Sequence, residues 1–190
     1  MRNIVLFGFM GTGKTVAGKE VARRLGMKFV DMDDVIEEKE GCTISEIFAE
    51  KGEECFREVE SEVAHSLSQR EGLVIATGGG VVLDRGNVDA LQLSGTGICL
   101  TASPEVIYER VKGERHRPLL MTDDPLRSIR SLLAYRAPFY ARAKYRIDTS
   151  ALTVESVVER IVNIAKDDQR LPAGIDFPEE DTPDPRYSQA

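Results

Sequence analysis

Hydrophobic positions in this chain follow two rhythms that take turns. Short runs dominated by apolar residues, Asn3 to Phe7, Lys28 to Asp31, Leu73 to Thr77, Gly97 to Thr101 and Tyr145 to Ile147, have the length of strands. Between them lie helix-forming stretches, of which Lys14 to Leu25 is the first. From Glu53 to Arg70, Phe56, Val59, Val63 and Leu67 fall on one face, the signature of an amphipathic helix. End signals agree: Thr43 with Glu46 reads as a capping box, Ser103 with Pro104 as an N-cap followed by a first helical proline, and Thr153 as the cap of the last helix. Strands alternating with helices predict an α/β fold, a parallel sheet with helices on both faces. From about Gln169 to Ala190 four prolines stand among acidic residues and the rhythm stops, so one domain over 1–168 is expected, followed by a mobile acidic tail over 169–190.

Composition narrows the functional classes. A length of 190 residues suits a single domain, and 42% hydrophobic content is enough for a real core. A net charge of -7 and a pI near 5.0 argue against a nucleic-acid or membrane-surface partner, which would favour a basic face. Cys42, Cys55 and Cys99 are too scattered for a disulfide framework and lack zinc-ligand spacing, so free thiols in a reducing compartment are expected. No apolar run reaches the length of a membrane span, and the first strand begins too early for a signal peptide; a cytoplasmic monomer is expected.

The chemistry starts at Gly8-Phe-Met-Gly-Thr-Gly-Lys-Thr15, a full GxxxxGKT between the first strand and the first helix. Its glycines allow a tight turn that aims backbone N–H groups at phosphate oxygens, Lys14 adds a cation, and Thr15 offers a hydroxyl to Mg²⁺. The positive end of the helix dipole lies at the same point. With strand before and helix after, this P-loop implies a nucleoside triphosphate rather than an ordinary glycine-rich turn. Asp31-Met32-Asp33-Asp34 follows the second strand, at the sheet edge where open α/β folds bind ligands. Strand alternation would turn Asp31 and Asp33 the same way, one to orient Mg²⁺ and the other to take a proton from a hydroxyl being phosphorylated. The competing account is a set of helix N-cap and first-turn acids, which suits Asp34 better; Asp33 is the preferred base. Gly78-Gly79-Gly80 after the third strand leaves bare backbone for a ligand, and Phe56-Arg57, Arg117-Pro118-Leu119-Leu120 and Arg136-Ala137-Pro138 complete the set.

In this order the motifs, together with Phe139-Tyr140, resemble shikimate kinase, from the first strand to about residue 165. The resemblance implies a P-loop kinase fold like that of nucleoside monophosphate kinases: a five-stranded parallel sheet flanked by helices, a substrate-binding region at about 32–62, and a mobile lid. It implies an ATP-dependent enzyme that phosphorylates the 3-hydroxyl of shikimate on the way to chorismate and aromatic amino acids. Gly11, Thr12, Gly13, Lys14, Thr15 and Val16 would hold nucleotide, with Thr15 and Asp31 around Mg²⁺. Asp33 would hold the shikimate hydroxyls and assist deprotonation, while Arg57, Arg136 and the backbone at Gly78, Gly79 and Gly80 grip the carboxylate and ring oxygens. Planar guanidinium groups and bare glycine N–H groups suit that task. Phe48 and Phe56 are either walls for the ring or core residues.

The lid is expected around 112–124, polar and punctuated by Gly113, Pro118 and Pro125. Arg117 would reach from it to the transferring phosphoryl group, and Arg110 resembles an arginine that packs on adenine, against the plainer reading of a surface helix residue. His116 and His65 are read as solvated. Two departures stand out. Ser150-Ala151-Leu152 supplies no second arginine against adenine, so contacts there fall to backbone or apolar groups, and the acidic tail lies outside the family pattern. A gluconate or nucleoside monophosphate kinase would need other acceptor contacts than Arg57 and the glycine loop. A binding module without turnover is disfavoured by intact Lys14, Thr15, Asp31, Asp33 and Arg117.

Overall fold

The computed structural model of the chain describes residues 1–113 and 124–170. Five parallel strands, β1 (Asn3–Gly8), β2 (Lys28–Asp31), β3 (Leu73–Ala76), β4 (Gly95–Thr101) and β5 (Tyr145–Asp148), form one sheet in the order β2-β3-β1-β4-β5. The helices among the described residues are α1 (Lys14–Leu25), α2 (Met32–Glu40), α3 (Ile44–Glu50), α4 (Gly52–Ser68), α5 (Arg85–Ser94), α6 (Pro104–Val111), α7 (Pro125–Tyr140) and α8 (Val154–Arg170), with a short 3-10 turn at Val81–Leu83. The α/β fold with a five-stranded parallel sheet is as expected.

Side-chain alternation along β1 explains the layers. Ile4 and Leu6 pack with Ala17 and Val21 of α1 and Val158 and Ile161 of α8. Val5 and Phe7 pack in the other layer with Phe56, Val63 and Leu67 of α4, Leu91 of α5, Ile107 of α6 and Ile129 of α7. Both faces of β1 are covered and all of its residues are buried, so the strand reads as a continuous apolar run rather than an alternation. β1 lies between β3 and β4, so the chain first winds from β1 to β2 on one side and later crosses from β3 to β4 on the other. A crevice therefore opens beyond the carboxyl ends at this point.

Two boundaries differ from expectation. β4 starts at Gly95, because Gly95 pairs with Asn3 so closely that a Cβ would lie 2.1 Å from the Asn3 carbonyl oxygen; glycine carries no strand signal of its own. α8 runs to Arg170, past the expected start of the tail at Gln169. Its polar end is fastened by buried Asp168, which accepts from Thr96 Oγ1 (2.7 Å), Lys144 Nζ (2.5 Å) and Tyr145 Oη (2.9 Å). The remainder of the expected tail, 171–190, lies outside the described residues. No helix among the described residues is long and apolar enough to cross a membrane.

Candidate active site

The loop between β1 and α1 is built to face an anion. Gly8 has φ 140°, and a Cβ on it would lie 2.2 Å from the Leu100 carbonyl oxygen of β4, so only glycine fits. The N-cap position of α1 is Gly13, so the helix has no side-chain cap and no acid in its first turn, which leaves its N-terminal N–H groups and dipole to a ligand. Lys14 Nζ donates to the carbonyls of Gly8 (2.9 Å) and Phe9 (3.0 Å), so the cation is held against the loop. Thr12, buried, closes the same turn by donating to Phe9 O at 2.7 Å. Val16, one turn into α1, stays exposed.

At the end of β2 the expected geometry needs correction. Asp31 is the last strand residue and the N-cap of α2, accepting from the Asp33 backbone N–H at 3.2 Å, so Asp33 already belongs to the helix. Strand alternation therefore does not relate the two carboxylates, because Asp33 sits in the first turn of the helix that Asp31 caps. Asp34 is an exposed first-turn acid, as expected. The Thr15 hydroxyl donates to Asp31 Oδ2 at 2.9 Å, which places a hydroxyl and a carboxylate together beside the P-loop. No group of three or more His, Cys, Asp or Glu side chains is placed to hold a metal ion among the described residues. Mg²⁺ on a nucleotide takes only one or two protein oxygens, with phosphates and water supplying the rest, so this hard-oxygen pair fits that ion.

The acceptor corner joins α2, α4, α7 and the loop after β3. A Cβ on Gly78 would come within 2.9 Å of both Asp33 Oδ1 and Glu60 Oε1, so the two carboxylates converge on bare backbone. Arg57 pairs with Glu60 (2.6 Å) and Glu53 (3.0 Å), and its guanidinium lies so near Gly80 that a Cβ there would be 2.4 Å from it. Burial works against the Arg57 charge, but Glu60 and Glu53 outweigh it and hold the group ionised. Burial pushes the Glu60 carboxyl above its ordinary range, against the opposing pull of Arg57. Arg136 donates to Gly79 O at 3.2 Å and stacks over the Phe9 ring, tying this corner to the P-loop. Glu60 Oε1 and Arg136 Nε are buried without a protein partner, one open acceptor and one open donor in the same corner. Phe56 is core, whereas Phe48 is partly exposed and rests on it with centroids 4.7 Å apart. That divides the expected pair of walls.

On the nucleotide side, Arg110 is neither loose nor simply a surface residue. It donates to Gly11 O (3.1 Å), Thr149 Oγ1 (3.0 Å) and Thr149 O (2.8 Å), while Thr149 Oγ1 also contacts Thr12 O at 3.1 Å. In-plane bonds of this kind hold a guanidinium edge and leave its face for stacking. α6 is capped at its C-terminus by Lys112 and α7 at its N-terminus by Asp124, the two ends of the expected lid; His116, Arg117 and Pro118 lie outside the described residues. His65 is exposed on α4, as expected.

Glu60 and Thr149 escaped sequence reasoning, and Tyr140 entered it only as part of a motif, with no role. Glu60 carries a detectable signal, a charge on the buried face of α4 beside Val59 and Val63. Thr149 carries none, because a threonine after a strand is ordinary in sequence, and nothing local to Tyr140 tells that its hydroxyl reaches the Gly79 carbonyl.

Comparison with known proteins agrees with this geometry. The shikimate kinase family profile matches residues 10–166. A shikimate kinase of Thermodesulfovibrio yellowstonii is 49% identical over 174 residues, spanning 92% of this chain and 99% of its own. Among solved structures, shikimate kinase from Acinetobacter baumannii in complex with shikimate aligns with a TM-score of 0.85 at 35% identity, over 90% of this chain and 96% of that one. A gluconokinase from Sinorhizobium meliloti, with a TM-score of 0.54 at 19% identity over 87% and 92%, shares the fold alone. The chain belongs to the shikimate kinase family.

Proposed function

We propose that this chain transfers the γ-phosphoryl group of ATP to the 3-hydroxyl of shikimate, giving shikimate 3-phosphate and ADP in the pathway to chorismate and aromatic amino acids. The observation that carries this reading is the acceptor corner. Arg57, Arg136 with its open Nε, and the carboxylates of Asp33 and Glu60 surround the bare backbone of Gly78 to Gly80, next to the P-loop. Paired guanidinium groups suit a carboxylate, and neighbouring acidic acceptors suit hydroxyls. Shikimate carries both.

In this reading Lys14 and the N–H groups of the loop and α1 hold the phosphates, and Arg110 offers its face to adenine. Thr15 and Asp31 hold Mg²⁺, which when bound neutralises charge on the phosphate oxygens. Asp33 accepts the proton of the attacking hydroxyl, and Arg117, assigned by family resemblance, stabilises the transferring group. A coupled ADP-release assay with shikimate, run beside gluconate and nucleoside monophosphates, tests the proposal. ADP release is expected with shikimate alone; release with another acceptor and none with shikimate overturns it.

A further inference from the structure

The acceptor loop meets α7 at one atom. The Gly79 carbonyl oxygen accepts from Tyr140 Oη at 2.7 Å and from Arg136 at 3.2 Å. The two donors stand one turn apart on α7 and so share a face. The peptide bonds are trans, so the Gly79 carbonyl and the Gly80 N–H point opposite ways from one plane. Holding the oxygen toward α7 therefore aims the Gly80 N–H away from α7, in a corner where Gly80 also lies close to the Arg57 guanidinium. Tyr140 is buried in the core, and burial pushes its phenol above the ordinary range, so the hydroxyl remains a donor at neutral pH.

We propose that Tyr140 is a positioning residue for the carboxylate-reading half of the site, holding the Gly79 carbonyl so that the Gly80 N–H stays turned inward and Arg136 is free to leave that oxygen for the ligand. The inference rests on the shikimate reading above. Arg136 makes the longer of the two bonds, and its Nε is already open. A carboxylate that draws Arg136 away leaves the carbonyl satisfied only because Tyr140 stays. Without the hydroxyl, binding would strip the oxygen of both side-chain partners and release the peptide to turn.

Calorimetry on wild type and Tyr140→Phe tests this, with shikimate, with the analogue whose carboxylate is reduced to an alcohol, and with ADP. Phenylalanine keeps the ring in the core. The variant is expected to bind shikimate roughly 5- to 30-fold more weakly, the lower part of the cost of leaving a buried carbonyl oxygen without a partner. Affinity for the alcohol and ADP should hold, and steady-state kinetics should give a raised KM for shikimate with kcat retained. A variant that discriminates shikimate from the alcohol as well as wild type does overturns the proposal. Wild type that binds both equally overturns the carboxylate reading itself, and this inference with it. Should Tyr140→Phe fail to fold, the Gly80 amide in ¹⁵N-labelled wild type carries the test. Its proton resonance is expected to move on adding shikimate and not the alcohol, and no movement overturns the proposal.

Discussion

Lys14 donates to two carbonyls of its own loop, yet neither bond lies in the hydrophobic core, so its removal costs charge at the phosphates more than fold. Lys14→Ala is expected to bring turnover to background with an unchanged circular dichroism spectrum. Near-normal phosphoryl transfer in a single turnover at saturating ATP would remove the assignment. Asp33 stands differently, in a first helical turn with its carboxylate at the Gly78 backbone. Asp33→Asn keeps the shape but cannot take a proton, so kcat should fall by about 10²–10⁴. An unchanged kcat with a raised KM would make Asp33 a binding residue only. Arg136→Lys keeps charge but loses the planar fork, and shikimate should bind about 1.5–3 kcal/mol more weakly, with ATP affinity changed far less. Titration of both ligands against the variant distinguishes a lost fork from a general collapse of the site.

At the scale of elements, the helices place these groups by their ends rather than their middles. α1 presents an uncapped N-terminus, while α2 is capped by the same Asp31 that accepts from Thr15, so one carboxylate both starts a helix and holds a hydroxyl of the P-loop. α8 is fastened at its far end by Asp168. Burial opposes ionisation there, but the bonds from Lys144, Thr96 and Tyr145 outweigh it and hold the carboxyl below its ordinary value of 3.8. A lowered folded pKa contributes stability that is complete above 3.8 and is lost as pH falls through the folded value. Asp168→Asn should therefore lower Tm at neutral pH, at a cost of roughly 1–3 kcal/mol for the broken network. The gap to wild type should close on acidification below that range. A gap that is constant across an acid titration of Tm would show that the carboxylate charge contributes nothing.

For the whole molecule, the site exists because the sheet reverses its winding at β1, which brings the P-loop, the end of β2 and the loop after β3 to one edge. Both core layers close within residues 1–170, and the family match ends at residue 166. A chain ending at Arg170 is therefore expected to keep the kcat, KM and Tm of the full chain; a substantial fall in any of them would give residues 171–190 a part in the kinase domain. β1, α1 and the capping box at Thr43 were legible in sequence because each is local: a run of apolar residues, a helical rhythm, a hydroxyl three residues before a glutamate. Asp33 was legible as a residue but not in its setting, since a four-residue strand passing straight into a helix changes the periodicity in the middle of the motif.

The sequence by itself determined the alternation of strands and helices and the P-loop, because periodicity and glycine spacing act within a few residues, while the arginines expected at the site came from the family resemblance. Only the tertiary structure decided that Glu60 faces Gly78, that Arg110 is braced by Thr149, and that Tyr140 and Arg136 share one carbonyl. Those contacts join residues far apart in the chain. They depend on how α4, α7 and the β5–α8 turn pack against the sheet, which no local pattern encodes.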